Sequence, residues 1–168
     1  MDQISLYFDQ AQKSLFRFEG LQDYTAMDGE EIVRHFIETG SLQIRPEDTE
    51  WWQEMRKKRE RGIRTSRVRL VTKPLNDYTR WELAAHAAAS AYSGDDIRVV
   101  ESDRFRELFP EQFPDFWMID DAYVFLLEYG PRGMHLGSVM ADEKDVPKYI
   151  EYKNMLMEDS VKIAEYEA

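Results

Sequence analysis

One stretch of the chain places acidic, basic and aromatic side chains at the spacing of a helix face. Tyr78 and Glu82 are four residues apart and share a face of the predicted helix, as do Asp77 and Trp81. Arg80 can pair with a carboxylate or meet an anionic ligand. The stretch follows a predicted strand, and open α/β sheets commonly bind ligands at the carboxyl ends of strands. We therefore predict that Asp77, Tyr78, Arg80 and Glu82 are ligand-binding candidates; the alternative is that the aromatic residues are core.

Carboxylates also flank a second predicted strand. Asp115 precedes it, Asp120 follows it and Trp117 lies within it. These three residues join the ligand-binding candidates, because grouped carboxylates bind Mg²⁺ or act as acid and base, and Asp77 and Glu82 could approach them. The interpretation that we favour is simpler: Asp120 opens a hairpin turn, and Asp77 caps a helix.

Basic residues are concentrated in one run, although the formal net charge is −11. Eight of the 22 basic residues fall between Arg56 and Arg69. This run could contact an anion, nucleic acid or an acidic protein partner, but the net charge disfavours nucleic acid, and a helix end also attracts basic residues. The candidate contacts are Arg56, Lys57, Lys58, Arg59 and Arg64.

Familiar catalytic and metal-binding patterns do not occur in the sequence. There is no cysteine, so disulfides and thiolate sites are excluded. His35, His86 and His135 have no metal-ligand spacing, and Ser138 lacks the flanking glycine of a nucleophile elbow. We predict no catalytic residue, metal or cofactor. Without a signal peptide or a membrane span, we expect a cytoplasmic protein that does not contact membranes.

Turn and cap residues divide the first half of the chain into short elements. A short helix is predicted in 2–13, and a strand in 14–24, where Leu15, Arg17 and Glu19 alternate with Phe16 and Phe18. Asp28, with Glu31 three residues later, predicts a capping box for a helix that ends at Gly40. A second helix follows Pro46 and stops at Gly62.

The second half predicts the fold class. From residue 66 the order is strand, helix, strand, then three strands joined by tight turns, then a long final helix that starts at Asp142 and includes Val161 and Ala164. A strand–helix–strand unit implies a parallel pair, and the tight turns imply an antiparallel meander. We predict one α/β domain with a mixed sheet and helices on both faces. Residues 1–65 would form a helical part packed on an α/β core of 66–168.

Over nearly its whole length the chain resembles an uncharacterised domain family common in actinobacteria, often encoded beside helix-turn-helix regulators. The shared pattern is a strand followed by Pro74-Leu75-x-Asp77-Tyr78-x-Arg80-x-Glu82, then Asp115-Phe116-Trp117 leading to Asp120-Asp121, then a closing helix. The family has no settled activity. Its genomic setting implies association with a transcriptional regulator or a conflict system.

A looser resemblance is to half of a phospholipase D-like fold. Met118-Ile119-Asp120 matches the apolar-Asp end of that motif, and Gly137-Ser138 is similar to its later Gly-Ser. In that superfamily a strand carries His-x-Lys, but Phe113 and Asp115 occupy those positions here. Phenylalanine cannot attack phosphorus, and aspartate repels phosphate. The resemblance therefore implies an inactive relative.

The leading functional prediction is a non-enzymatic binding or regulatory module, with an unknown protein or a small anionic ligand as its partner. The first alternative is a metal-assisted phosphodiesterase or nucleotide hydrolase that uses Asp77, Glu82, Asp115 and Asp120. The second is an acidic interaction or immunity protein whose negative face lies in the last 28 residues.

Overall fold

Seven strands form one mixed sheet in the computed structural model, which describes residues 3–168. The strands are β1 (Ser14–Glu19), β2 (Arg64–Val71), β3 (Asp96–Glu101), β4 (Phe116–Ile119), β5 (Tyr123–Tyr129), β6 (His135–Met140) and β7 (Val161–Lys162). Their order across the sheet is β6-β5-β4-β1-β2-β3-β7. The predicted α/β class, with one domain overall, is confirmed.

Seven helices pack around this sheet. They are α1 (Gln3–Asp9), α2 (Thr25–Asp28), α3 (Glu30–Thr39), α4 (Glu50–Glu60), α5 (Asp77–Ser93), α6 (Ser102–Leu108) and α7 (Val146–Asp159). Short 3₁₀ turns lie at Pro46–Asp48, Pro131–Gly133, Glu143–Asp145 and Ile163–Glu165. No helix within residues 3–168 is long and apolar enough to span a membrane.

The strand directions match the predicted connections. β2, α5 and β3 form the strand–helix–strand unit, and β2 pairs with β3 in parallel. β4, β5 and β6 form the antiparallel meander. β1 joins the two halves, because it pairs in parallel with β2 on one side and antiparallel with β4 on the other. The boundary at residue 65 stays a prediction, but β1 precedes that boundary and lies in the middle of the sheet.

The alternation along β1 separates two different faces of the sheet. Phe16 and Phe18 lie in a large apolar core with Phe105 of α6 and Leu156 of α7. Leu15 packs on the opposite face with side chains of α1 and α4. Arg17 and Glu19 share that second face with Leu15, although both are charged and buried. One face therefore supplies an apolar core, and the other carries buried charges.

Two predicted helix boundaries are wrong. Asp28 does not cap α3; Gly29, whose φ is 101°, separates α2 from α3, and Asp28 instead accepts a hydrogen bond from the Tyr78 hydroxyl. The final helix does not extend beyond Asp159, because Val161 and Lys162 pair with β3 as β7. The cap of α5 is Asn76, whose side chain accepts from the Thr79 N–H at 2.8 Å; Asp77, which the sequence analysis favours as the cap, is instead the first residue of the helix.

Asp120 stabilises the meander's first turn and the start of β1 together. Asp120 and Asp121 form the predicted turn, with φ values of 56° and 52°. The Asp120 carboxylate accepts backbone N–H bonds from Gln12 at 3.0 Å, Lys13 at 2.7 Å and Ser14 at 3.0 Å. These hydrogen bonds fix the register of β1 beside β4.

We expect Asp120→Ala to lower the free energy of unfolding by about 2 kcal/mol, because three N–H groups lose their acceptor. Alanine also tolerates a left-handed backbone poorly. Asp120→Asn keeps one acceptor oxygen and tolerates that backbone, so it should lose about half as much. Urea unfolding of the three proteins measures this order. An Ala variant as stable as the parent would contradict the assigned role.

Candidate ligand-binding cleft

A cleft of about 680 Å³ opens on the charged face of the sheet, between the central strands and helices α2 to α5. Charged, aromatic and apolar side chains line it. We call it the charged cleft; its charged lining residues are Arg17, Glu19, Asp28, Arg67 and Glu82, and His86 also lines it. Its volume is typical of a site for a small organic molecule.

The floor of the charged cleft is built by two neighbouring strands. Arg17 lies beside Arg67 and Glu19 lies beside Arg69 in the parallel pairing of β1 with β2. Residues in register on adjacent strands point to the same face, so four charged side chains form one patch. Each is at most 8% exposed. Burial of isolated charges is very costly, so each of these groups requires a partner.

Three ion pairs supply most of those partners. The Arg69 Nε donates to Glu82 Oε2 of α5 at 2.6 Å, and the Arg67 Nη1 donates to Glu19 Oε1. The Arg17 Nη2 donates to Asp115 Oδ2 at 3.3 Å. Since the partners come from β1, β2, α5 and the segment before β4, the ion pairs tie together elements that are distant in sequence.

Asp115 supports the cleft from beneath. It accepts the Gly20 N–H at 2.8 Å and the Tyr24 hydroxyl, in addition to Arg17. Burial raises the pKa of Asp115, although Arg17 and these hydrogen bonds oppose the rise. Asp115 therefore holds an arginine in place.

The ion pairs leave several buried polar atoms of the cleft without a partner. Arg17 Nη1, Arg67 Nε, Arg69 Nη2 and His86 Nδ1 make no hydrogen bond. Three of these four atoms are guanidinium nitrogens, which can only donate. Buried polar groups are nearly always satisfied in native proteins. Arg17 and Arg67 line the charged cleft, so oxygen acceptors of a ligand would satisfy their unpaired donors.

The pKa values of the titratable groups in the cleft are shifted in different directions from their usual values. Burial raises the pKa of Glu82 to about 8, even though Arg69 opposes the rise. Burial also acts on Glu19, but Arg67, His86 and the other arginines together lower its pKa below the usual range. Burial and the surrounding arginines lower the pKa of His86 to about 3, so its ring is neutral near pH 7.

Aromatic residues form the walls. The Arg67 guanidinium lies 5.3 Å from the Trp52 ring centroid and 5.8 Å from that of Trp117, which is within cation–π range. Trp51 and Trp81 line the cleft further out. At the mouth, Met27 and Ile44 are each 55% exposed. A ligand's flat apolar part would fit against this outer surface.

One cluster within residues 3–168 has the spacing of metal ligands. One ligating atom from each of Glu19, Glu82 and His86 lies within 4.8 Å of the others. However, both carboxylates are already bound by arginines, and three guanidiniums surround the cluster. Their positive charge disfavours a cation here and favours an anion.

The structure brings some of the predicted candidates together. Tyr78, Glu82 and Trp117 line the charged cleft, and Asp115 lies below it. Asp77 and Arg80 instead lie on the surface at the start of α5, where the Arg80 Nη1 is 3.6 Å from Asp77 Oδ1.

Asp115 and Asp120 stand at opposite ends of β4, five residues and about 17 Å apart at the usual rise of an extended strand. One cation cannot be shared across that distance, because its oxygen ligands lie within about 2.6 Å.

The basic run is divided by burial. Lys58 is 1% exposed, and its Nζ donates to the Phe8 carbonyl at 3.2 Å. The Arg59 Nη1 donates to the Thr65 carbonyl at 2.9 Å. Lys57 and Arg64 are exposed, and Arg56 pairs with Glu60. The exposed members remain predicted partner contacts, whereas Lys58 and Arg59 are bound within the fold.

Sequence reasoning missed the residues that form the floor. Arg17, Glu19 and His86 were not among the predicted candidates, and Arg67 was counted only as part of the basic run. The available signal was the alternation of Arg17 and Glu19 with two phenylalanines. In a strand this pattern puts charges on one face, but it is also the pattern of an ordinary solvent-exposed face.

Comparisons with known proteins support the fold. A family model described as a domain of unknown function, DUF6879, matches residues 2–168. No curated protein matches the chain. Among solved structures, NucT from Helicobacter pylori is similar, with a TM-score of 0.51, 12% identity, and coverage of 94% of this chain and 86% of that one. At 12% identity, this likeness concerns the fold alone.

A double-mutant cycle on Glu19 and Arg67 tests the floor. Either Glu19→Leu or Arg67→Met leaves one buried charge without its main partner, so each should cost about 3 kcal/mol of unfolding free energy. The double variant should cost clearly less than the sum of the two. Unfolding in guanidinium chloride measures the unfolding free energy of the two single variants and of the double variant relative to the parent. Additive effects would show that the two charges do not interact.

Proposed function

The chain belongs to the family described as domain of unknown function DUF6879, and on that premise we propose that it is a non-enzymatic binding module. Its ligand is a small anion with a flat apolar part, and the charged cleft is its site. The observation that carries the proposal is the pair of buried guanidinium nitrogens without a partner on Arg17 and Arg67, two arginines that line the cleft.

The charge of the ligand follows from these donors. Arginine is always protonated, so Arg17 Nη1 and Arg67 Nε can be satisfied only by acceptor atoms. An anionic oxygen forms stronger hydrogen bonds with them than a neutral one does. Hydrogen bonds to charged groups contribute about 1.5–3 kcal/mol each, which is enough to select an anion over a neutral analogue.

The apolar part of the ligand follows from the walls and the mouth. Trp51 is 37% exposed although it lies on a helix that packs on the sheet, and Met27 and Ile44 beside the cleft are more exposed still. A flat ring buried against these side chains would remove apolar surface from water. Aromatic pairs add about 0.5–1.5 kcal/mol beyond that burial.

The absence of a nucleophile in the predicted positions supports a non-enzymatic role. Phe113 stacks on Tyr152 at 4.4 Å between ring centroids, so it belongs to the apolar core of the opposite face. Asp115 is committed to Arg17, Tyr24 and Gly20. A regulator as partner, and a cytoplasmic location, remain predictions that rest on the resemblance and on the sequence.

The metal-dependent alternative keeps one supporting observation, the cluster of Glu19, Glu82 and His86. It predicts that Mn²⁺ or Zn²⁺ raises the melting temperature of the protein, and that Glu19→Gln abolishes the rise. The proposed anion site predicts no such stabilisation, because the arginines repel a cation.

The direct test is calorimetric titration with 2-naphthalenesulfonate, which joins a permanent negative charge to a flat apolar ring. We expect binding, with at least tenfold weaker binding of the uncharged 2-naphthalenesulfonamide and of sulfate. Arg67→Lys keeps the charge but loses the Nε donor, so its affinity should fall about tenfold. Trp51→Ala should lower affinity severalfold, because the ring loses a wall.

Val161→Ala is the matched control, since Val161 is exposed on β7 at the far edge of the sheet. It should bind like the parent, and melting curves should show that every variant is folded. Equal affinities for the sulfonate and the sulfonamide would overturn the anion site. Stabilisation by metal without any binding of the sulfonate would favour the alternative.

A further inference from the structure

The two outer strands of the sheet, β6 and β7, differ in how well they exclude a further strand. β7 has two residues, Val161 and Lys162, and a 3₁₀ turn follows it at once. Short outer strands, and lysines on them, are common means of keeping other chains from pairing with a sheet. β6 has six residues and contains no Asp, Glu, Lys, Arg or Pro. The β6 edge therefore lacks the protection that the β7 edge has.

The backbone of β6 offers hydrogen-bonding groups to a further strand. The Ala141 N–H, just after β6, donates to the Val124 carbonyl at 2.8 Å, so the odd-numbered residues of this stretch bond to β5. In an antiparallel ladder the residues between them turn their N–H and C=O groups the other way. Those of Ser138 and Met140 thus point away from the sheet, and no strand within residues 3–168 pairs with them.

Apolar side chains on and beside β6 are exposed to solvent. Leu136 is 66% exposed, Val139 53% and Met134 42%. A side chain added at Gly137 would meet no atom of residues 3–168 within 4 Å beyond its two neighbours, so the middle of the strand is uncovered. An unpaired edge with exposed apolar side chains is the kind of surface to which a strand of a second chain adds.

Charges of opposite sign flank the strand. Arg132 precedes β6 and is exposed. The turn that follows β6 is net acidic, since Asp142, Glu143 and Asp145 outnumber Lys144. When two identical strands pair antiparallel, the beginning of each lies beside the end of the other. The arginine of each copy would then approach the acidic turn of the other copy, and this charge complementarity favours a second copy of the chain as the partner.

We propose that β6 pairs antiparallel with β6 of a second copy of this chain, about a two-fold axis that passes beside Val139. The inference stands apart from the proposed function, because it concerns another surface. In this register Ser138 of each copy lies opposite Met140 of the other, and each such pair exchanges backbone hydrogen bonds in both directions. The two Val139 side chains lie opposite each other at the axis, in the closer, non-hydrogen-bonded kind of pair.

The net charge of the chain also favours this surface over others. Each copy carries a formal charge of −11, so two copies repel each other over most of their surfaces. A stretch without charged side chains is where they can approach with the least repulsion. A two-fold interface is self-complementary, so one exposed strand is sufficient to form it.

The pairing would place both charged clefts on the same side of one continuous sheet, because its two-fold axis is perpendicular to the sheet. Arg17 lies on β1, which is the third strand inward from β6. The Arg17 residues of the two copies are then separated by seven strand spacings, or about 34 Å at the usual distance between strands. Each cleft keeps its own lining residues.

The test is analytical ultracentrifugation of the full chain across a wide range of protein concentrations. The mass of the parent should rise with concentration from 20.0 kDa towards twice that value. Val139→Lys and Val139→Glu should each weaken self-association about tenfold or more, because like charges then face each other at the axis. The matched control is Val161→Lys, on the exposed residue of the opposite edge, which should associate like the parent.

An equimolar mixture of the two Val139 variants distinguishes this pairing from other modes of association. In the mixed dimer a lysine faces a glutamate, so the mixture should associate about tenfold more tightly than either variant alone. Melting curves should show that all three variants are folded, since each substituted valine is exposed. A mixture that associates no better than its components would overturn the two-fold pairing at Val139.

Hydrogen exchange provides a second measurement on the unmodified protein. The Ser138 and Met140 amides should exchange about tenfold more slowly at high protein concentration than at low concentration, whereas the Val139 amide, which bonds to β5, should be protected at both. A dimer that leaves the Ser138 and Met140 amides unprotected would overturn the proposed surface. A parent that stays at 20.0 kDa at every concentration would overturn the pairing altogether and leave the edge to a strand of a different protein.

Discussion

The ion pairs on the inner face of β1 and β2 are the interaction on which the site depends. Arginines and glutamates would be expelled from the middle of a sheet if they were not paired, since each isolated charge costs several kcal/mol to bury. Pairing Arg67 with Glu19 and Arg69 with Glu82 makes burial tolerable. The Arg69–Glu82 pair also holds α5 against the sheet, and the charged cleft lies between this helix and the strands.

The sheet can carry this costly face because its other face is an ordinary apolar core. Phe16 and Phe18 pack with Phe105 and Phe116 at ring distances of 5.5 to 6.0 Å. Full burial of such side chains contributes about 2–3 kcal/mol each, and the face has many of them. The stability of the fold therefore comes mainly from one side of the sheet, and the charged cleft lies on the other side.

Much of the fold could be predicted from local pattern, because turns, caps and alternation are local properties. The meander follows from turn residues such as Asp120, and α5 follows from Asn76 and Gly94 at its two ends. The end of the last helix could not be predicted from local pattern. The helix gives way to β7 because Val161 pairs with the edge of β3, and this contact is distant in sequence.

The candidate site was predicted only in part, for a similar reason. Tyr78 and Glu82 share a helix face by spacing alone, and that face proved to be the one over the cleft. Spacing alone puts Arg17 and Glu19 on one face of β1, but their burial depends on α4 and α5 covering the sheet. The packing of these helices on the sheet is a property of the tertiary structure, and the sequence of a strand with alternating charges does not predict it. Arg56 and Arg67 belong to one basic run, yet one is exposed and the other is buried.

The atoms left without partners connect the stability of the floor to its function. A network built only to hold α5 in place would be more stable if every donor were satisfied, because each unsatisfied buried donor costs about 1–3 kcal/mol. Three guanidiniums with one free nitrogen each are therefore a cost that folding alone does not require. If the charged cleft binds an oxyanion as proposed, the bound anion removes that cost. The free energy recovered in this way would then contribute to the affinity for the ligand.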